Sequence, residues 1–387
     1  MIHVQKISFD DACQIFTGGT PSRTNPEYFG GGVPWVKITD MLQGVITKTD
    51  ETLSTKGLEN SSAKVLPKGT VLISIFATIG RTAILGIEAA TNQAIAGVIP
   101  RDKTRLDPDY LRYYLDSMHG KLNREARGVA QPNINQGILK ALEIPLPPLA
   151  EQRRIVDLLS RAEGIINLRK EAEKKATELI PALFIDMFGD PVTNPKKWPM
   201  VKFDSFGTCR LGKMLDKKRQ LGNSLKPYLR NINVQWDRID VHDLLEMDFS
   251  LEEQKKFSVS DGDVLICEGG DIGRAAIWSS QINECYYQKA LHKLTPNLGI
   301  VRPDYVVWLM WHLSKRHAFG SSSHATIAHL TGIQLKNLIV PLPPIDSLLT
   351  FEKHVDQAHS LRRQQSEATI LANDNFETIL SRTFSSL

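Results

Sequence analysis

The chain has 387 residues, 42% hydrophobic and 23% charged, with a formal net charge of +4, which is ordinary soluble globular composition with room for two or three full cores. No apolar run approaches about 18 residues, and the start, MIHVQKISFDD, lacks the apolar stretch of a secretory signal. A cytoplasmic location with no membrane partner is expected. Four scattered cysteines, Cys13, Cys209, Cys267 and Cys285, form no CxxC pair and point to buried reduced thiols.

In chain order, a Gly- and Pro-rich loop at 18–32, GGTPSRTNPEYFGGG, precedes strand candidates at 33–39, 70–76, 82–87 and 95–99, rich in β-branched residues and bounded by glycine or proline. A short helix is predicted at 108–118, then a polar loop, ARGVAQPNINQ, at 126–136. Pro147 and Pro148 close an extended run, and a long helix should start near Leu149. Its apolar positions, Ile155, Leu159, Ala162, Ile166, Ala172, Ala176, Leu179 and Leu183, recur every three or four residues as a narrow seam that needs a partner helix. Pro181 lies inside this helix and is expected to bend or interrupt it near Ile180.

The second half repeats the first at an offset near 195 residues. LPKGTVLIS at 66–74 returns as VSDGDVLIC at 259–267, IGR at 79–81 as 272–274, DPDYL at 107–111 as RPDYV at 302–306, and PLPPL at 145–149 as PLPPI at 341–345. Strands are predicted at 228–234, 263–267, 275–278 and 289–294, a helix at 303–315 and a polar loop at 320–332. A second long helix then carries Leu348, Val355, Ala358, Leu361, Ala368, Phe376, Ile379 and Leu380. Each long helix would extend about 55 Å at 1.5 Å per residue. The expected architecture is α+β: two mixed α/β globules, a pseudo-two-fold repeat, with two long antiparallel coiled-coil-like helices. The corresponding segments are 1–145, 146–190, 191–341 and 342–387.

Catalytic signatures are missing: there is no GxxxxGK[ST], HExxH or GxGxxG, and the proline pairs are Leu-Pro-Pro, not the Asn-Pro-Pro-aromatic of an amino-methyltransferase. Glu253-Gln254-Lys255 has the local form of a nuclease Glu-x-Lys, but LEEQKKF reads as a solvated turn. The central helix balances its charges, so the positive excess sits on the globules. Residues 201–240 hold nine Lys/Arg against four Asp, either a solvated basic face or a phosphate-neutralising one.

Side chains able to read base edges or contact phosphate are Arg23, Lys37, Arg81, Gln93, Arg127, Gln131 and Asn133 in the first globule. In the second they are Lys217, Lys218, Arg219, Arg230, Arg274, Gln288, Lys289 and His324. Taken singly, each fits surface solvation, turn chemistry or a phosphate contact better than base reading, and Asn133 and Asn135 also fit backbone capping. Gly80 and Gly273 suit tight strand connections that would aim Arg81 and Arg274 alike, which singles out that pair.

With these residues in hand, the chain resembles the specificity subunit of type I restriction-modification systems. The resemblance spans GGTPSRTNPEYFGGGVPWVKITDM, LPKGTVLISIFATIGR, NQAIAG, the junction ARGVAQPNINQGILKALEIPLPPLAEQRRIV and MFGDPVTNPKKWP. It implies two target recognition domains, each reading one half of a bipartite double-stranded DNA site, with the helices setting the spacer. It also implies a non-catalytic chain that binds no cofactor itself. Two modification (methyltransferase) subunits would carry S-adenosylmethionine, and restriction (translocase/nuclease) subunits ATP and Mg. Partner docking on the helices is expected at Ile155, Leu159, Ile166, Leu179, Val355, Leu361 and Phe376. The second globule shows LGKMLDKKRQLGNSLKPYLRNINV where the first has GGTP, implying unlike half-sites. An assembly scaffold without DNA preference is the alternative, and a nuclease or methyltransferase fused to a reader a third.

Overall fold

A computed structural model describes residues 4–76, 78–126, 133–215, 222–319 and 329–387. The chain divides into two compact units, Met1–Lys170 with Glu367–Leu387, and Glu171–Ser366. Each long helix is therefore shared between units instead of forming a body of its own.

In unit 1 the strands are β1 (Lys6–Ser8), β2 (Cys13–Thr17), β3 (Phe29–Val36), β4 (Val45–Ile46), β5 (Glu51–Leu53), β6 (Val71–Ser74), β7 (Thr82–Leu85), β8 (Ala90–Thr91), β9 (Ile95–Pro100) and β10 (Glu143–Pro145). The helices are α1 (Phe9–Ala12), α2 (Thr55–Glu59), α3 (Pro108–Ser117), α4 (His119–Ala126), α5 (Gln136–Lys140) and α6 (Leu149–Phe188). A five-stranded sheet runs β2-β9-β6-β7-β4, and a three-stranded sheet runs β5-β3-β8. β1 pairs antiparallel with β10, bringing the start of the chain to the foot of α6.

Unit 2 repeats this plan with β11 (Met200–Lys202), β12 (Gly207–Leu211), β13 (Leu225–Leu229), β14 (Val234–Gln235), β15 (Arg238–Ile239), β16 (Leu245–Asp248), β17 (Val264–Cys267), β18 (Ala275–Ile277), β19 (Tyr286–Tyr287), β20 (Leu291–Pro296) and β21 (Ile339–Pro341). Its helices are α7 (Leu251–Phe257), α8 (Pro303–Lys315), α9 (Gly332–Asn337) and α10 (Ile345–Ser385). The sheet β12-β20-β17-β18 matches β2-β9-β6-β7, the sheet β16-β13-β19 matches β5-β3-β8, and β11–β21 matches β1–β10. The repeat extends to single atoms. Tyr110 Oη donates to the Pro145 carbonyl at 2.8 Å, and Tyr305 Oη to the Pro341 carbonyl at 2.6 Å. Gly80 and Gly273 adopt φ of +83° and +79° in the β6–β7 and β17–β18 connections, a region a side chain disfavours.

The long helices enter both cores. In unit 1, Ile155 and Leu159 near the start of α6 share a core with Leu380 and Phe384 near the end of α10 and with Tyr110, Tyr113 and Tyr114 of α3. In unit 2, Ile180, Phe184 and Phe188 from the end of α6 share a core with Leu348, Phe351 and Val355 from the start of α10. The two helices thus run antiparallel. Gln152 fixes α6 to unit 1: fully buried, it accepts from Asp107 N at 2.9 Å and donates to the carbonyls of Arg105 and Pro147. Arg112 adds a bidentate pair to Glu163, and in unit 2 Arg302, at the position Asp107 holds in unit 1, makes a bidentate pair with Glu352.

Several expectations need correction. α6 runs 40 residues without interruption through Pro181; the Pro181 carbonyl, near the helix end, meets His312 Nε2 at 3.1 Å. LEEQKKF is a helix, α7, because Ser250 and Glu253 form a reciprocal capping box. The strand expected at 228–234 breaks at Arg230, where a 3-10 turn at Asn231–Asn233 separates β13 from β14. Of the seam positions, Ile155, Leu159, Ile166 and Val355 are buried and Phe376 partly so, whereas Leu179 and Leu361 are 44% and 40% exposed. Past Ile166 the buried face of α6 passes through Ala176, Ile180, Phe184 and Phe188, a stripe that leaves Leu179 outside it.

Candidate nucleic-acid interface

The loop at 18–32 and β3 set the first cluster of candidate readers. β3 pairs antiparallel with β5 so that Trp35 faces Glu51. Trp35 is buried and donates through Nε1 to the Gly19 carbonyl, which anchors the loop. The Arg23 guanidinium lies 4.5 Å from the Phe29 ring centroid and 5.3 Å from that of Trp35, a stacked cation. Glu51 joins the candidates: its Oε2 accepts from Arg23 at 2.7 Å and its Oε1 from Lys37 at 2.8 Å. Those bonds, the Arg23 one foremost, hold the Glu51 carboxyl below its usual range, while the bond Lys37 donates to Glu51 pushes the Lys37 ammonium up. Gln93 is exposed and accepts from the Thr20 hydroxyl at the base of the same loop.

Arg81 and Arg274 occupy equivalent positions but different surroundings. Arg81 lines a cavity of about 390 Å³ with Arg112, Asp116, His119, Glu163 and Glu377. Arg274 donates to the Asn231 carbonyl at 2.8 Å, and its Nε is buried without a partner among the described residues. Equivalent backbone therefore does not aim the two side chains alike.

In unit 2, three of the six described cations of the basic stretch are matched by carboxylates. Arg230 binds Asp243 at 2.7 Å, Lys226 binds Glu284 at 2.7 Å, and Lys213 binds Glu253 at 2.6 Å while lying over the Phe249 ring. Gln288 bridges Lys213 in parallel, and the Lys289 N–H reaches the Lys213 carbonyl, so these candidates sit beside one another. Arg210, Arg238 and Lys289 are exposed. Asn133 is half-buried, and its neighbour Asn135 caps α5. Arg127, Gln131, Lys217, Lys218, Arg219 and His324 lie outside the described residues.

Sequence reading did not pair the acids Glu51, Asp243, Glu253 and Glu284 with these cations. Each lies 13 to 58 positions from its cation, and only strand pairing and loop closure make them neighbours. The four cysteines are unpaired and buried; burial pushes Cys13 up to about 12 and Cys209 to about 11, so both stay thiols. Among the described residues, no group of three or more His, Cys, Asp or Glu could hold a metal ion, and no helix is long and apolar enough to cross a membrane.

A sequence profile described as the type I restriction modification DNA specificity domain matches residues 1–178 and again 195–373. The MjaIX specificity subunit of Methanocaldococcus jannaschii is 32% identical over 190 residues, 47% of this chain and 44% of that protein. The chain thus spans less than half the length of that relative, and 31% of the HindI specificity subunit of Haemophilus influenzae, 35% identical over 142 residues or 36% of this chain. The EcoBI specificity subunit of Escherichia coli is 21% identical over 98% of this chain and 85% of its own. A structure solved for work on complex assembly and conformational transition of the type I R-M system superposes with a TM-score of 0.68 and 21% identity, over 98% of this chain and 97% of that one, a likeness of fold.

Proposed function

The chain belongs to the type I restriction modification DNA specificity family, and from that footing we propose that it is the DNA-recognition subunit of a type I restriction-modification complex. Each unit reads one half of a bipartite double-stranded site, and the paired helices set the spacer. The single observation that carries this reading is the repeat: one domain profile matches twice, on two units of matching topology that share two antiparallel helices. Unlike loops support unlike half-sites, since unit 1 offers Arg23 on an aromatic bed and unit 2 offers Lys213, Gln288 and Lys289.

Methyl transfer and S-adenosylmethionine belong, in this proposal, to two modification subunits, and ATP with Mg to restriction subunits. Exposed apolar residues on the long helices support docking of such partners: Leu158, Ile165, Leu168, Ile370 and Leu371 in unit 1, Leu179 and Leu361 in unit 2. Mapping methylated adenines across the genome of a host that carries this chain and its modification partner tests the proposal. A split motif with a fixed gap is expected. A continuous motif would overturn the two-reader arrangement, and methylation independent of this chain would overturn the recognition role.

A further inference from the structure

We infer that Glu51 is the specificity-determining residue of unit 1: it orients Arg23 for a base edge and withholds the charges of Arg23 and Lys37 from phosphate. The inference rests on the DNA-recognition reading above and adds to it a residue of the wrong charge for a DNA contact.

Both carboxylate oxygens of Glu51 are engaged, one by each cation. Asp40, itself buried, keeps this pairing in place by accepting from Lys37 N at 2.8 Å and from Asp50 N at 3.2 Å, which ties the two ends of the Lys37–Glu51 pair together. Arg23 remains reachable, its side chain 56% exposed. Its bond to Glu51 uses one terminal nitrogen, while the rings of Phe29 and Trp35 hold the guanidinium plane. The rest of the fork stays available for the paired hydrogen bonds that guanine offers in the major groove. A phosphate approaching Arg23 or Lys37 meets the negative charge of Glu51 beside both cations. A base edge carries no net charge and meets no such opposition. The neighbouring Lys56 is likewise paired, to Glu27 at 3.2 Å, but both of those side chains are about 70% exposed and give way readily.

The test measures binding of the full-length chain, between 50 and 200 mM salt, to a duplex carrying the mapped methylation motif and to a scrambled duplex. Glu51→Gln removes the charge at constant size. It is expected to raise affinity for the scrambled duplex about 3- to 10-fold, steepen the salt slope by roughly 1 to 2 as one or two cations become free for phosphate, and shrink the ratio of specific to non-specific affinity. Glu27→Gln, the same charge change at a neighbouring but exposed ion pair, is expected to do less. Arg23→Lys keeps the charge but loses the fork, and should lower affinity for the motif duplex with little change in slope. If Glu51→Gln behaves like wild type or like Glu27→Gln, or weakens binding to both duplexes alike, the inference is overturned. If the wild-type chain itself fails to distinguish the two duplexes, the recognition reading falls instead.

Discussion

Replacing Phe384 by alanine should loosen the first unit although Phe384 lies three residues from the chain end. The side chain is 8% exposed, with its ring 5.4 Å from Tyr110 and 5.7 Å from Tyr114, both on α3. Truncating a buried phenylalanine costs about 3–5 kcal/mol through lost transfer energy and the cavity left behind. A domain holds only about 5–15 kcal/mol in total, so unit 1 would become marginal while unit 2 keeps its own core. Urea unfolding gives the magnitude, and hydrogen exchange of peptides covering α3 and α8 gives the location: α3 should exchange faster and α8 should not. Ile370→Ala is the control, on the same helix but 59% exposed, and should change stability by no more than about 0.5 kcal/mol. A loss below about 1 kcal/mol for Phe384→Ala, or equal acceleration in α3 and α8, would refute the claim that the end of α10 completes the core of unit 1.

Tyr110→Phe and Tyr305→Phe each remove a buried hydroxyl from a proline carbonyl. Each should cost about 1–3 kcal/mol, and closely similar losses by denaturant titration would confirm that the repeat is energetic as well as topological. Asp304, at the start of α8, is buried, and desolvation foremost, with Glu352 next, raises its pKa to about 7. A carboxyl raised above its unfolded value near 3.9 binds more protons when folded, so its contribution to stability declines as pH rises from about 4 to about 7. Asp304→Asn should therefore raise the melting temperature at pH 8 and much less at pH 4, which thermal scans at the two values can check. Adding one helical turn between Leu168 and Glu178, matched by one in α10, should lengthen the methylated motif's gap without altering its halves. An unchanged gap in methylome mapping would count against the helices as the ruler.

Some of this protein is dictated locally. α6 begins at Leu149 because two prolines precede it, and α8 fills 303–315 because Pro303 suits a first helical turn and apolar residues follow. The doubled motifs marked the repeat, and Gly80 with Gly273 marked two turns, since backbone requirements of this kind are met by residues a few positions apart. The short pieces were less legible: α7 needed its capping box to be recognised, and Arg230 divides what looked like one strand.

What a side chain does after the backbone is set depended on partners brought from far along the chain. Arg81 and Arg274 share a motif, yet one lines a cavity with Glu163 and Glu377 and the other is tied to the Asn231 carbonyl. Arg23 and Lys37 look like free cations until β5 carries Glu51 between them. Composition and spacing alone determined that two similar globules and two long helices would form, because periodicity and turn chemistry act within a few residues. Only the tertiary structure decided which charges remain available and that the chain's last turns close its first core, because electrostatic pairing and burial depend on distance in space and not on distance along the sequence.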